Sequence, residues 1–189
     1  MKNIHVFAYL FLLAASFCFV QDKGKQIEKL VSELHERGQF NGSILVPIKG
    51  EIIYSGGKGV ANFEKSIPFT SATPTYIASL SKQFAAMAVM ILVEKKKLTY
   101  EDKLSKYFPE FPLYAHKITI KNLLNHTSGI PDYFHLGLAH MGLTNEEVLK
   151  GLIKQDSSRF PPGDKFEYSN SGYVLLASRK FQAFRSLHL

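Results

Sequence analysis

Between Phe84 and Val93 the chain carries an unbroken apolar block, FAAMAVMILV, with polar residues on either side. The block is far shorter than the roughly 20 apolar residues of a membrane span, and its Ala and Met content disfavours a strand. The pattern predicts a helix that is apolar on all sides, and therefore one buried inside a domain. Upstream, Ile27, Leu30, Val31 and Leu34 fall at i, i+3, i+4 and i+7 within Lys23 to Arg37, an amphipathic helix. Phe40 to Pro47 is strand-like, with Ile44 and Val46 on one face. Glu51 to Tyr54 reads as the returning strand across a Lys49-Gly50 turn. Gly56-Gly57-Lys58-Gly59 is expected to end that strand in a bulge or turn. Downstream, Thr99-x-x-Asp102 and Thr144-x-x-Glu147 have the form of helix starts. The second leads Val148, Leu149, Leu152 and Ile153, an amphipathic helix. Thr119 to Asn125 reads as another short helix, and Gly129 followed by Pro131 marks a sharp turn. The expected order is helix, two strands, then helices only, without internal repeats or a low-complexity linker.

Composition narrows the class. A chain of 189 residues, 46% hydrophobic and 21% charged, suits one modest globular domain. The formal charge is +7, but the lysines are scattered and Lys95-Lys96-Lys97 is the only run. No basic arm with interleaved aromatics is present, which argues against nucleic-acid binding. A cationic surface does suit an anionic envelope or cell-wall polymer. Residues 1–20 place a lysine before an apolar core and are followed by Gln21-Asp22-Lys23, the shape of a secretory signal peptide. Cleavage is expected between residues 16 and 22. Cys18 is the single cysteine, which rules out an internal disulfide and leaves lipidation as an alternative fate for that residue. These features predict an exported protein of a bacterial envelope.

The candidate chemistry begins at Ser79 and Lys82. At i and i+3 they share one face of a helix start, and a lysine beside a serine is a candidate base for the hydroxyl. Burial and the positive helix N-terminus both disfavour the ammonium form. Ser-x-x-Lys is a weak pattern by itself, since Ser55-Gly56-Gly57-Lys58 repeats it in a strand-like region. Taken alone, a helix start with a solvated lysine is the plainer reading. Two further motifs change that weighting: His126-Thr127-Ser128-Gly129-Ile130-Pro131, and Tyr168-Ser169-Asn170-Ser171-Gly172-Tyr173 after Pro161-Pro162-Gly163. With these, the chain resembles the serine β-lactamase and penicillin-binding-protein-like hydrolases, in the branch whose second motif starts with tyrosine. The resemblance runs from about Phe40 to Ala177 through FNGSILV, IASLSKQF, LLNHTSGI and FPPGDKFEYSNSGYVLLA, in the family's order.

The resemblance implies an α+β, β-lactamase/transpeptidase-like fold, an antiparallel sheet with flanking helices and a helical lobe, the site lying between them. Residues 21–189 would be the N-terminal part of that domain, with its C-terminal strands missing. It also implies Ser79 as acyl-accepting nucleophile, Lys82 as its proton acceptor, and Tyr168 as a base or as acid to the leaving group. Asn170 would donate to Lys82 or to a substrate amide, and Ser169 is given no role. The substrate class is a small acyl compound or cell-wall peptide (an amide, ester or β-lactam). No cofactor is expected and no metal, because His135 and His140 are five apart and no H-E-x-x-H occurs. His126 reads as a polar residue fixing its turn. The family's third motif, Lys-Thr-Gly or His-x-Gly, does not follow the second. It would supply one of two oxyanion donors, whose loss costs other hydrolases about 10²–10³ in kcat. The expectation is therefore an incomplete, nearly inactive domain, with the match fading after Leu176-Ala177. A short variant covered by Phe181, Phe184 and Leu187 is the alternative. Three functions stay open: an acyl-transfer enzyme, a truncated or non-catalytic homologue, and a membrane-surface interaction protein.

Overall fold

The computed structural model describes residues 23–178, and the chain divides between Tyr76 and Ile77 into two units. The signal-like segment 1–20 and the residues Phe181, Phe184 and Leu187 lie outside the described residues.

In the first unit, helix α1 (23–36) precedes two antiparallel strands, β1 (Gly42–Ile48) and β2 (Glu51–Lys58). Lys49 (φ 50) and Gly50 (φ 86) are both left-handed, as a two-residue hairpin with the primed turn twist requires. The register slips between Val46 and Pro47, where proline has no N–H to give the ladder. Glu28 on α1 accepts the Tyr54 hydroxyl at 2.5 Å and the Lys58 ammonium at 2.6 Å, tying α1 to β2. Burial, and then that carboxylate, push the Tyr54 phenol up to about 12. The lysine of the second Ser-x-x-Lys is thus held by Glu28, and its serine is a strand residue paired with Leu45.

Two expectations fail in this unit. Strand β2 does not end at the glycines: Gly56 and Gly57 pair with Ile44 and Ser43. A Cβ on Gly57 would stand 2.6 Å from the Phe69 backbone, so glycine lets the 69–70 segment lie against the strand. The chain leaves the strand only at Gly59 (φ 86). A second antiparallel pair, β3 (Val60–Asn62) and β4 (Ile67–Pro68), follows. Three and two residues are too few to show any periodicity.

The second unit is helical. A 3-10 turn (Ala78–Leu80) leads into α2 (Ser81–Glu94), followed by α3 (Leu104–Tyr107), α4 (Ile120–Leu124), α5 (Asn145–Ile153) and α6 (Asn170–Leu176). Val89, Leu92, Leu104, Phe108, Ile120, Leu123, Val148, Leu152, Leu175 and Leu176 form its core. Both α4 and α5 open with a capping box, Thr119 with Asn122 and Thr144 with Glu147. Thr99-x-x-Asp102, by contrast, starts no helix. Asp102 accepts the Thr99 N–H, the Tyr107 hydroxyl and the Lys106 ammonium, which closes a turn. Burial raises the Asp102 carboxyl, but the bonds from Tyr107, Thr99 and Lys106 outweigh it and bring it down to about 2. Lys103 then runs extended to bridge Thr119, and α3 begins one residue later. Nor is α2 buried all round. Phe84, Met87 and Met90 are 64%, 55% and 50% exposed, a stripe at i, i+3 and i+6, while Val89 and Leu92 face the core. An all-apolar run fixes helix type but not how many of its faces are covered.

Helices with small antiparallel sheets make the fold α+β, as the sequence implied. Among the described residues no helix is long and apolar enough to cross a membrane.

Candidate active site

Ser79 lies in the 3-10 turn rather than in α2, and Lys82 in the first turn of α2. Three residues per 3-10 turn align side chains at i and i+3. Ala78, just before the serine, is left-handed at φ 46, an uncommon state for a residue with a Cβ. Lys82 Nζ donates to Ser79 Oγ at 3.1 Å and to Asn170 Oδ1 at 2.9 Å. The Tyr168 hydroxyl lies 2.8 Å from the same Ser79 Oγ. Lys82 Nζ also stands 5.1 Å from the Tyr168 ring centre. All four residues named from the sequence therefore meet at one point, although Ser79 and Tyr168 are 89 positions apart. Ser79 is exposed, and Lys82 and Asn170 are half-buried.

The segment carrying Tyr168 is aligned by the turn that follows α4. Gly163 N–H donates to Thr127 O at 2.8 Å, Glu167 N–H to His126 O at 2.9 Å, and Ser169 N–H to His126 Nδ1 at 3.1 Å. The Asn170 N–H donates to Asp132 Oδ2, and Tyr133 N–H to Ser171 Oγ at 2.9 Å. Ser169 caps α6 by accepting the Gly172 N–H. Sequence reasoning missed Asp132, Ser169 and Ser171, all buried and all hydrogen-bonded, as buried polar groups must be. The usable signal was Ser169 three residues before Gly172 at a helix start. Asp132 carried none beyond its place after Pro131.

Charge follows from the same contacts. The Lys82 side chain, and then the Ser79 hydroxyl, hold the Tyr168 phenol below its ordinary value. Burial, and then the Lys82 charge, hold the His126 imidazolium below its own, while Asp132 pulls the other way. Burial raises the Tyr173 phenol, helped by Tyr168. Among the described residues no three His, Cys, Asp or Glu side chains are grouped to hold a metal ion. The arrangement is chemically suited to moving a proton off Ser79 Oγ with a cation at hand.

Residues 27–179 match the family described as Beta-lactamase. Penicillin-binding protein 4* of Bacillus subtilis (strain 168) is 39% identical over 162 residues, which cover 83% of this chain and 36% of that protein. Among solved structures, the octameric penicillin-binding protein homologue from Pyrococcus abyssi aligns with a TM-score of 0.69 at 30% identity, over 87% of this chain and 39% of that one. EstCE1, described as a hydrolase with promiscuous acyltransferase activity, aligns with a TM-score of 0.72 at 25% identity, over 89% and 51%. The chain spans about a third of the length of the curated relatives it matches.

Proposed function

The chain belongs to the β-lactamase family, and on that premise we propose that it is a serine hydrolase whose Ser79 forms an acyl-enzyme with an amide or ester. The single observation that carries this reading is the meeting of Tyr168 and Lys82 on one serine oxygen, at 2.8 and 3.1 Å. In the reading supported best, Tyr168 rather than Lys82 accepts the proton. Lys82 already donates two hydrogen bonds, to Ser79 and Asn170, and it favours the ionised phenol beside it. Ser79 Oγ attacks the substrate carbonyl carbon as its proton passes to the Tyr168 oxygen. The C–N or C–O bond then breaks, and the same proton moves to the leaving group. Water, deprotonated by Tyr168, then attacks the ester carbon; the bond to Ser79 Oγ breaks, Tyr168 returns the proton to that oxygen, and the acid leaves. Asn170 fixes the Lys82 ammonium and leaves its own amide N–H groups for a substrate carbonyl.

The test is labelling of the purified chain with a fluorescent penicillin and with a fluorophosphonate, followed by mass mapping. An adduct on Ser79 is expected. Ser79→Ala should abolish it, while Ser55→Ala and Ser128→Ala should leave it in place. Labelling that survives Ser79→Ala overturns the assignment. A folded chain that takes neither label is a non-catalytic homologue. Export to a bacterial envelope belongs to the same reading, supported by relatives that are bacterial penicillin-binding proteins. N-terminal sequencing of envelope material should begin between residues 16 and 22.

A further inference from the structure

We infer that His126 is a positioning residue: through the backbone on both sides of Tyr168 and a stacked ring, it fixes the phenol against Ser79. The inference rests on the reading of Ser79 and Tyr168 given above.

Three contacts carry it. The amide of Glu167, just before Tyr168, donates to the His126 carbonyl at 2.9 Å. The amide of Ser169, just after it, donates to His126 Nδ1 at 3.1 Å. The two rings lie 4.5 Å apart, centre to centre, inclined at 31°. Tyr168 is thus held through the amides of both neighbouring residues and across its face by one residue, and its hydroxyl has Ser79 as partner at 2.8 Å. The clamp itself sits at φ 56, a left-handed conformation in which His, Asn and Asp are enriched among non-glycine residues.

The clamp works only with a lone pair on Nδ1. A neutral imidazole offers one acceptor nitrogen, whereas the imidazolium has donors on both and must release the Ser169 N–H. The charges around the ring bias that change in opposite senses. Lys82 from α2 places a positive charge toward it, and Asp132 from the turn after it supplies the opposing negative charge. Tyr173 from α6 and Phe166 from the 160–169 segment contribute rings without charge. Acidification through the His126 titration should therefore loosen Tyr168.

The experiment follows the Tyr168 phenol, so it does not depend on acylation. In the full chain with carbon-13 in its tyrosine rings, the Tyr168 resonance is assigned with Tyr168→Phe. It is then recorded against pH together with the His126 ring signals. The Tyr168 resonance is expected to move in step with His126 protonation. That step should vanish in His126→Asn, which keeps an acceptor near the Nδ1 position and suits the left-handed backbone. In His126→Phe, which keeps a ring but no acceptor, the fluorophosphonate rate on Ser79 should fall about tenfold, the size of one lost hydrogen bond. His126→Asn should recover most of that rate and keep the limb set by Tyr168, while losing the further step that follows His126 protonation. A Tyr168 signal indifferent to His126 protonation overturns the inference. So does a His126→Asn variant whose melting temperature falls while the step at the His126 titration persists. Absence of any Ser79 adduct in the wild type sinks the hydrolase reading alone, because the Tyr168 resonance still reports on the clamp.

Discussion

At the scale of single residues, Tyr168 separates the two possible proton acceptors. If it accepts the Ser79 proton, Tyr168→Phe should lower the acylation rate by about 10²–10⁴, the usual share of a positioned base. The pH dependence has a definite sign. The active form is the phenolate, so the rate should rise with pH and level off below the range of an ordinary phenol, because Lys82 holds Tyr168 down. Lys82→Gln removes the largest cause of that shift and should move the limb to higher pH. An unchanged limb in Lys82→Gln would contradict the assignment. Asp132 makes a different kind of prediction. It accepts the amides of Phe134 and Asn170 from a buried position, so Asp132→Ala leaves two donors unmet and should cost about 2–4 kcal/mol of stability. Thermal or urea unfolding of the pair measures it. Ser79, Lys82, Tyr168 and Asn170 were legible because several motifs in a fixed order specify each other. Asp132 and Ser171 were not, because a sequence does not say which distant amide a polar side chain will meet.

Elements show the same limit from the side of packing. Helix α2 presents two apolar faces with different fates, which a pair of substitutions distinguishes. Leu92→Ala opens a cavity at a fully buried position and should cost about 2–5 kcal/mol. Met87→Ala, on the exposed stripe, should change stability by about 0.5 kcal/mol or less. Equal losses in the melting curves of the two variants would show that the stripe is covered in solution. The sequence announced α2 clearly, since no other element explains so long an apolar run. It gave no means to tell the two faces apart, because alternation between polar and apolar positions is what reports exposure and the run has none. Capping boxes were legible where the side chain bonds its own helix start, as at Thr144. At Thr99 the same spacing closes a turn, because the bridge from Lys103 to Thr119 draws the chain out of the helical path. Strands β3 and β4 fell below the length at which a pattern exists.

For the whole molecule, the distribution of buried apolar side chains argues for unequal stability. The fold class was legible from ordered motifs, but this gradient depends on three-dimensional cover. Among the described residues, Val31 is the only buried hydrophobic residue before Ile77, and the remainder belong to the helical unit. The first unit is held instead by a two-stranded ladder, a short second pair and the Glu28 contacts to Tyr54 and Lys58. Two-stranded pairs are marginal in water without a packed helix, and exposed ion pairs contribute about 1 kcal/mol or less. Regions with few buried apolar contacts open at lower free energy than the core. Native-state hydrogen exchange should therefore show two groups of amides. Those of Leu92, Leu123, Leu152 and Leu176 should exchange only near the global unfolding free energy. Those of the β1–β2 ladder, such as Ile44 and Val46, should exchange through a lower-energy opening that leaves the first group protected. Raising ionic strength should widen the gap, since it screens Lys58–Glu28 and leaves the helical core untouched. One common exchange free energy for both groups would show a single cooperative unit and refute the gradient.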